Sequence, residues 1–143
     1  MVDLGSYKDK FGVSGQRILE HALNESRRRD QNFVSVEHIL QALTVEEPDM
    51  FNSAMRELSL DPVVVKMAIE KRLGSSRQQH VGKGFRIGPD TTDLFKRAME
   101  RARTQGRKTI EATDIFEALS NHDSLFVEVL RTMGANPEAV VEN

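Results

Sequence analysis

The sequence predicts an all-α domain in which a four-helix unit occurs twice, and two observations support this prediction. Residues 34–43, VSVEHILQAL, return 76 positions later as residues 110–119, IEATDIFEAL. In both segments apolar residues recur at i, i+3, i+4 and i+7, the spacing that places them on one face of an α-helix. The stripe of the preceding helix also returns, because Ile18, Leu19, Ala22 and Leu23 correspond to Leu94, Phe95, Ala98 and Met99.

The correspondence between the two copies extends beyond these helices. Residues 16–43 align with residues 92–119 without a gap, and five of the 28 pairs are identical. After a deletion of one residue the match resumes at Phe51/Phe126, Arg56/Arg131 and Pro62/Pro137. We interpret the pattern as a tandem duplication with a pseudo-twofold axis and about eight helices. Residues 1–143 then form a single domain, with repeat one at about 11–74, a linker at about 75–89 and repeat two at about 90–143.

Local signals place the first two helices. Met1–Lys10 is polar and is expected to be a loosely held lead-in. Helix one is expected to start near Ser14 and to end at the arginines 27–29, whose charges complement the dipole at a helix C-terminus. Ser35 is the expected N-cap of helix two, residues 36–45, because serine side chains accept hydrogen bonds from the first free N–H groups.

Capping signals also place the later helices. After a short third helix, Asp61–Pro62 marks the start of helix four, which is expected to run to Leu73, since aspartate favours the N-cap and proline the first helical position. Helix five is expected to be capped by one of residues 90–92. The counterpart of helix four has only residues 137–143, so we expect the chain to be a domain of a longer polypeptide or to end in a fraying helix.

The amino-acid composition excludes several classes of protein function. The chain has 38% hydrophobic and 29% charged residues, an ordinary globular balance. It has no cysteine, which excludes disulfides, thiol catalysis and cysteine metal sites. No apolar run approaches the roughly 18 residues that a membrane helix requires, and the polar N-terminus lacks a signal-peptide core. We therefore expect a cytoplasmic protein without membrane contact.

The charges are unevenly distributed along the chain. Residues 77–108 contain nine basic and three acidic residues, whereas residues 109–143 contain seven acidic residues and one arginine. Such segregation either attracts an acidic partner or merely reflects solvated helix faces.

The motifs that accompany catalysis are missing from the sequence. Gly82-Lys83-Gly84 resembles part of a phosphate-binding loop, but Gly84, followed by Phe85, stands where a Walker motif requires serine or threonine. The four histidines show no HExxH spacing, so no metal site is predicted. No GxSxG motif is present either. The sequence favours a binding module over an enzyme.

A polar pair, Glu37 and His38, opens helix two and flanks its apolar stripe. Glu37 should lie at the rim of the buried face, close to free backbone N–H groups that can bind an anion. Its simpler role is to stabilise the helix dipole by about 0.3–1 kcal/mol. Periodicity alone leaves both roles open.

The motif VEHIL at residues 36–40, the run ALNESRRR at residues 22–29 and the glycine-rich linker between two repeats resemble the N-terminal domain of the Clp AAA+ unfoldases, the ClpA, ClpB and ClpC group. The resemblance covers about residues 11–141, and repeat one is most similar to the ClpC type. It implies an all-α Clp N-domain-like fold made of two four-helix repeats.

The resemblance also implies a function. Clp N-terminal domains are non-catalytic docking modules that sit on a flexible tether above an ATPase ring, bind adaptor proteins or unfolded and tagged substrates, and pass them to the pore. On this view ATP and Mg²⁺ serve only a parent ATPase module, and this domain needs no cofactor. We expect the isolated domain to be a monomer that does not bind nucleic acid.

Site residues follow from the same resemblance. In ClpC-type members the glutamate of each Glu-His-Ile-Leu motif helps to hold phosphorylated arginine on substrates. Glu37 keeps that position, while Thr113 replaces the glutamate and Asp114 the histidine in repeat two. The resemblance thus implies a substrate or adaptor site at Ser35, Glu37 and His38, with Thr113 and Asp114 as its altered counterpart and a phosphoarginine site at most in repeat one.

Two other functions fit the same sequence. A stand-alone regulatory or scaffold protein could keep the fold without an ATPase ring. A nucleic-acid-binding helical domain could use the basic block Lys96, Arg97, Arg101, Arg103, Arg107 and Lys108, although the net charge of -2 argues against it.

Overall fold

The computed structural model describes residues 2–3, 7–31, 33–75, 86–120 and 125–134. These residues contain seven α-helices: α1 (Val13–Arg28), α2 (Val36–Glu46), α3 (Pro48–Glu57), α4 (Pro62–Ser75), α5 (Pro89–Thr104), α6 (Ala112–Ser120) and α7 (Leu125–Thr132). Three short strands accompany them: β1 (Val2–Asp3), β2 (Phe33–Val34) and β3 (Arg86–Ile87). A single 3₁₀ turn, Lys8–Lys10, precedes α1. The fold is all-α, as predicted.

The duplication is visible in the backbone. Helices α1 and α5 both have 16 residues, and their first residues, Val13 and Pro89, are 76 positions apart. Left-handed residues terminate corresponding helices: Asp30 (φ 55°) and Gly106 (φ 77°) follow α1 and α5, while Ser59 (φ 62°) and Gly134 (φ 79°) follow α3 and α7. The first pair is separated by 76 positions and the second by 75, in agreement with the predicted one-residue deletion.

Short extended segments of the two repeats pair with each other. Strand β3 lies between β1 and β2, and it pairs with β2 in parallel through Val34 and Ile87. A second parallel bridge joins Phe11 to Ile110. These four residues are related by the 76-residue offset, so the segment before the first helix of each repeat pairs with the segment before the second helix of the other repeat. The repeats are therefore linked by backbone hydrogen bonds as well as by side-chain packing.

The core runs continuously through both repeats. Phe51 on α3 and Phe126 on α7 are counterparts in the duplication, both have no exposed surface, and their ring centroids are 6.3 Å apart. Phe116 on α6 extends this aromatic group, at 5.8 Å from Phe126. The predicted stripes of α1, α2, α5 and α6 all belong to the same buried cluster, except that Val36 and Met99 are only partly buried at its edge. Burial of apolar surface across the repeat boundary makes one domain of the two units.

Three boundary predictions need correction. Helix α5 begins at Pro89 with Gly88 as N-cap, so residues 90–92 lie within its first turn and do not cap it. Proline favours the first helical position, which explains the earlier start. The lead-in is held at Val2–Asp3 by antiparallel pairing with β3. Strand β3 lies inside the predicted linker 75–89. Residues 76–85 of this linker are outside the described part of the chain, as is the predicted last helix at 137–143.

Candidate functional site

The N-terminus of α2 is closed by a capping box between Ser35 and His38. The Ser35 hydroxyl oxygen accepts a hydrogen bond from the His38 backbone N–H at 3.3 Å. In return the Ser35 backbone N–H donates to Nδ1 of the His38 ring at 3.1 Å. A capping box usually places glutamate or glutamine at the third helical position, and here the imidazole takes that role. Both residues are buried, with 4% and 0% of their surface exposed.

These contacts determine which tautomer the neutral His38 ring adopts. Because Nδ1 accepts the Ser35 N–H, the neutral ring carries its proton on Nε2. The Ser35 hydroxyl, 2.7 Å from Nδ1, donates to the same nitrogen. Nε2 lies 3.1 Å from the amide oxygen Oε1 of Gln31 and donates to it. Both ring nitrogens therefore have partners inside the protein.

The environment keeps His38 neutral. Burial lowers the pKa of His38 below its ordinary value of 6.5, and the positive charge of Arg29 acts in the same direction. The negative charges of Glu37 and Glu25 raise this pKa but do not compensate for burial. Protonation at Nδ1 would also remove the acceptor that the Ser35 N–H uses.

This arrangement predicts acid sensitivity. A depressed pKa in the folded state means that the unfolded chain takes up the proton first, so the stability due to neutral His38 is present above pH 6.5 and is lost as the pH falls through the folded pKa. We expect the free energy of unfolding to decrease below pH 6.5 by at most about 1.4 kcal/mol per pH unit for this group. Urea unfolding of the wild type and of His38→Gln between pH 5 and 7.5 measures the effect, since glutamine preserves the cap without titrating.

The control for this experiment is His21→Gln. His21 is half-buried and its Nδ1 lies 3.2 Å from Oε2 of Glu46. If the pH profiles of both variants coincide with that of the wild type, His38 does not cause the acid sensitivity.

Glu37 differs from its neighbours because its carboxylate has no partner among the described residues. It is half-buried in the first turn of α2. It makes no hydrogen bond or ion pair with any residue that the structure describes, whereas Ser35 and His38 on either side are fully engaged. The capping box therefore fixes the backbone of Glu37, whose carboxylate has no partner in the described part of the chain. Such a group can accept hydrogen bonds from a cationic ligand such as a guanidinium.

Repeat two fills the equivalent positions with an ion cluster. Asp114, the counterpart of His38, has no exposed surface and accepts the backbone N–H of Glu111 at 2.8 Å. Arg107, the counterpart of Gln31, donates to both carboxylate oxygens of Asp114 at 2.6 and 2.7 Å. Arg101 donates to Asp114 at 2.9 Å and also contacts Glu117. The neutral His38–Gln31 pair of repeat one thus corresponds to an Asp114–Arg107 ion pair.

Glu111 occupies the remaining position at the start of α6. Its oxygen Oε1 accepts the Ser14 backbone N–H at 3.1 Å and the Ser14 hydroxyl at 2.9 Å. The Ser14 hydroxyl oxygen accepts the Ala112 N–H at 2.8 Å. A carboxylate from repeat two therefore satisfies a free donor at the N-terminus of α1 in repeat one. Thr113, the counterpart of Glu37, is exposed beside this contact.

The five residues predicted as a site have different environments. Ser35, His38 and Asp114 are buried and bonded within the protein, whereas Glu37 and Thr113 reach the surface. Sequence reasoning missed Gln31 and Glu111 as partners, and it treated Arg101 and Arg107 only as part of a basic block. The internal alignment contained the signal, because positions 31/107 and 38/114 change together from a neutral to an ionic pair.

The basic block is smaller than the sequence suggests. Arg97 pairs with Asp93 at 2.8 Å, and Arg101 and Arg107 bind Asp114. Only Lys96, Arg103 and Lys108 are exposed in this block and make no ion pair among the described residues. This is a small footprint for a surface that must neutralise several phosphates. Within the described ranges, no group of three or more metal-ligating side chains occurs, and no helix is long and apolar enough to cross a membrane.

The all-α fold and the corresponding N-termini of the helices in the two halves define a duplicated repeat domain. The chain belongs to the Clp_N family, the Clp repeat (R) N-terminal domain, whose sequence profile matches residues 10–133. The resemblance inferred from the VEHIL motif is thereby confirmed. No curated protein matches the chain significantly in sequence.

Solved structures share the fold at low sequence identity. The Hsp104 N-terminal domain from Candida albicans superposes with a TM-score of 0.79 at 12% identity, covering 92% of this chain and 86% of that one. The N-terminal domain of the chaperone ClpD from Arabidopsis thaliana gives 0.68 at 18% identity, with 94% of each chain covered. The N-terminal domain of the ClpV1 ATPase from E. coli gives 0.72 at 14% identity, covering 96% and 85%. All three are N-terminal domains of Clp-related proteins.

Proposed function

We propose that this chain is a substrate- and adaptor-docking domain of a Clp-type ATP-dependent unfoldase. The observation that carries the proposal is the family match over residues 10–133, since Clp N-terminal domains are generally non-catalytic binding modules of Clp ATPases. A further solved structure that matches this chain, at TM-score 0.70 and 16% identity, bears the name of a peptide from the EAEC T6SS Sci1 SciI protein. We infer from this name that a domain with this fold binds a peptide, and we propose the same for this chain.

The docking site in this proposal is the first turn of α2. Glu37 offers a carboxylate that no described residue binds, while Ser35 and His38 hold its backbone from within the protein. Its ligands are unfolded or tagged protein segments, adaptor proteins, and arginine or phosphoarginine side chains, whose guanidinium group pairs with a carboxylate. Repeat two has no carboxylate at the equivalent position, Thr113, so the proposed site is single.

The proposal assigns no chemistry to this domain. ATP and Mg²⁺ belong to a parent ATPase module, the isolated domain is a monomer, and the protein works in the cytoplasm. The three exposed cations of the basic block, Lys96, Arg103 and Lys108, do not make a nucleic-acid site in this proposal.

We expect Glu37→Lys to weaken binding of a phosphoarginine peptide and of an unfolded model protein by about ten- to a hundredfold. The reason is that a hydrogen bond to a charged group contributes about 1.5–3 kcal/mol, and lysine removes the carboxylate that accepts from the guanidinium. Fluorescence anisotropy with the labelled ligands measures the loss.

Thr113→Lys is the matched control, because it introduces the same charge at the equivalent position of repeat two. It should leave both affinities within about twofold of the wild type, a difference of roughly 0.4 kcal/mol. Equal binding by Glu37→Lys and the wild type contradicts the assignment of the site. Absence of any binding by the wild type contradicts the proposed function itself.

A further inference from the structure

A separate cleft lies where the N-terminal segment crosses helix α5. It has a volume of about 210 Å³ and is lined by Tyr7 and Lys10 of the N-terminal segment and by residues of repeat two. Small-molecule sites usually have about 300–1,000 Å³. The cleft is therefore sized for one bulky side chain rather than for a cofactor or metabolite. None of its lining residues belongs to α2, so it is distinct from the Glu37 site.

The floor of the cleft is apolar. Phe95 and Ile110 form its base and have no exposed surface, and Met99 and Tyr7 form partly buried walls. The Tyr7 and Phe95 rings pack with their centroids 5.5 Å apart. An incoming aliphatic or aromatic side chain would cover the accessible parts of Tyr7 and Met99 above this base and leave water, which is the main source of affinity at such sites.

The rim of the cleft is basic. Lys10, Lys96 and Arg103 are exposed around it, and the only acid in its lining is Glu100. The Lys10 ammonium lies 5.0 Å from the centroid of the Tyr7 ring. None of the three bases forms an ion pair among the described residues. Charges left without partners around an apolar floor favour a ligand that supplies carboxylates.

Repeat one does not reproduce this charge pattern. The counterparts of Phe95 and Met99 on α1 are Leu19 and Leu23, which are equally apolar. The counterpart of Arg103 is Arg27, which is also basic, but the counterpart of Lys96 is Glu20. The duplicated fold therefore explains the apolar floor and the base at Arg103, whereas it does not account for Lys96.

We propose that this cleft, here named the Tyr7 cleft, binds an acidic protein segment by receiving one bulky apolar side chain between Tyr7, Phe95 and Met99. Carboxylates on either side of that anchor pair with Lys10, Lys96 and Arg103. The inference rests on the proposed docking function and adds a second contact that recognises acidic partners. A partner that engages both sites presents a cation to Glu37 and an acidic apolar segment to the Tyr7 cleft.

The test uses a short fluorescent acidic peptide with one central phenylalanine as the probe. Two peptide controls replace either the phenylalanine with serine or the acidic residues with lysine. The paired variant Lys96→Glu/Arg103→Glu should weaken binding of the probe at least about tenfold, equivalent to roughly 1.4 kcal/mol. The matched control Arg17→Glu/Arg27→Glu reverses two exposed arginines of α1 and should leave the affinity unchanged, and both control peptides should bind weakly.

Methyl NMR locates the bound probe. Met99 lines the Tyr7 cleft, whereas Met67 is an exposed methionine on α4, with 65% of its surface accessible. We expect the Met99 resonance to shift on titration and the Met67 resonance to stay in place. A shift at Met67 without one at Met99, or equal loss of affinity in both paired variants, overturns the proposal. Tighter binding of a single-stranded oligonucleotide than of the peptide also overturns the proposal, because the basic rim would then bind phosphates and not carboxylates.

The outcomes also separate this inference from the proposed function. If the wild type binds an unfolded protein in a Glu37-dependent manner but does not bind the acidic peptide, the Tyr7 cleft is wrong and the docking function stands. If the peptide binds at Met99 while Glu37→Lys leaves substrate binding unchanged, the Glu37 site is wrong and the Tyr7 cleft stands.

Discussion

Replacing Asp114 with alanine should destabilise the domain by about 3–5 kcal/mol, the usual cost of removing one partner from a buried ion pair. Asp114 has no exposed surface, and it binds both Arg101 and Arg107, whose side chains are only 26% and 32% exposed. Its loss removes the carboxylate that balances the charges of the two guanidinium groups. It also removes the acceptor for the Glu111 N–H at the start of α6. Urea unfolding at neutral pH measures the change in free energy.

Two variants show whether the ion cluster itself is responsible. The exposed pair Arg97–Asp93 should contribute at most about 0.5 kcal/mol, so Asp93→Ala is the control for a surface ion pair. The double substitution Asp114→His/Arg107→Gln transfers the residues of repeat one into repeat two. It should be more stable than Asp114→Ala, because the His38–Gln31 arrangement supplies the same acceptor in neutral form. A cost of Asp114→Ala as small as that of Asp93→Ala contradicts the account.

The sequence was sufficient to predict the parts of the fold that depend on periodicity. Ile39, Leu40 and Leu43 form a buried face of α2 as expected, and Pro62 begins α4 as its capping signal indicated. Hydrophobic spacing carries this information because one helix face must be buried whatever lies opposite it. The offset between the repeats, including the one-residue deletion, could also be predicted from the internal alignment, and the left-handed residues follow it.

The environments of the polar residues were less predictable. Nothing in the spacing of Glu37 and His38 shows that Glu37 has no partner among the described residues while His38 is buried and bonded to Ser35 and Gln31. Likewise, Glu111 reaches Ser14 across 97 positions of the chain. Such contacts depend on how the extended segments of the two repeats pair with each other. This pairing is a tertiary property that local sequence patterns do not encode.

Replacing Gly15 with alanine should also cost about 3 kcal/mol, at the upper end of the usual range for overpacking. Gly15 is buried in α1, and a Cβ at this position would lie far inside van der Waals contact of the Ile110 carbonyl oxygen and 3.1 Å from the Phe11 ring. That carbonyl belongs to the bridge between the repeats and accepts the Gly12 N–H at 2.9 Å. Alanine improves helix propensity by about 1 kcal/mol, but α1 must move away from a backbone group that cannot rotate aside.

Gly12→Ala is the matched control, because the three heavy atoms nearest to a Cβ there all belong to the carboxylate of Glu111, the movable end of a side chain. It should cost about 1 kcal/mol through weakened hydrogen bonds to Ser14. The counterpart of Gly15 in repeat two is Thr91, whose hydroxyl donates to the Val34 carbonyl at 3.2 Å, so the corresponding space there accommodates a side chain. Thermal or urea unfolding should therefore rank Gly15→Ala well below Gly12→Ala in stability. Equal costs would show that the approach of α1 to Ile110 does not limit the packing of the two repeats.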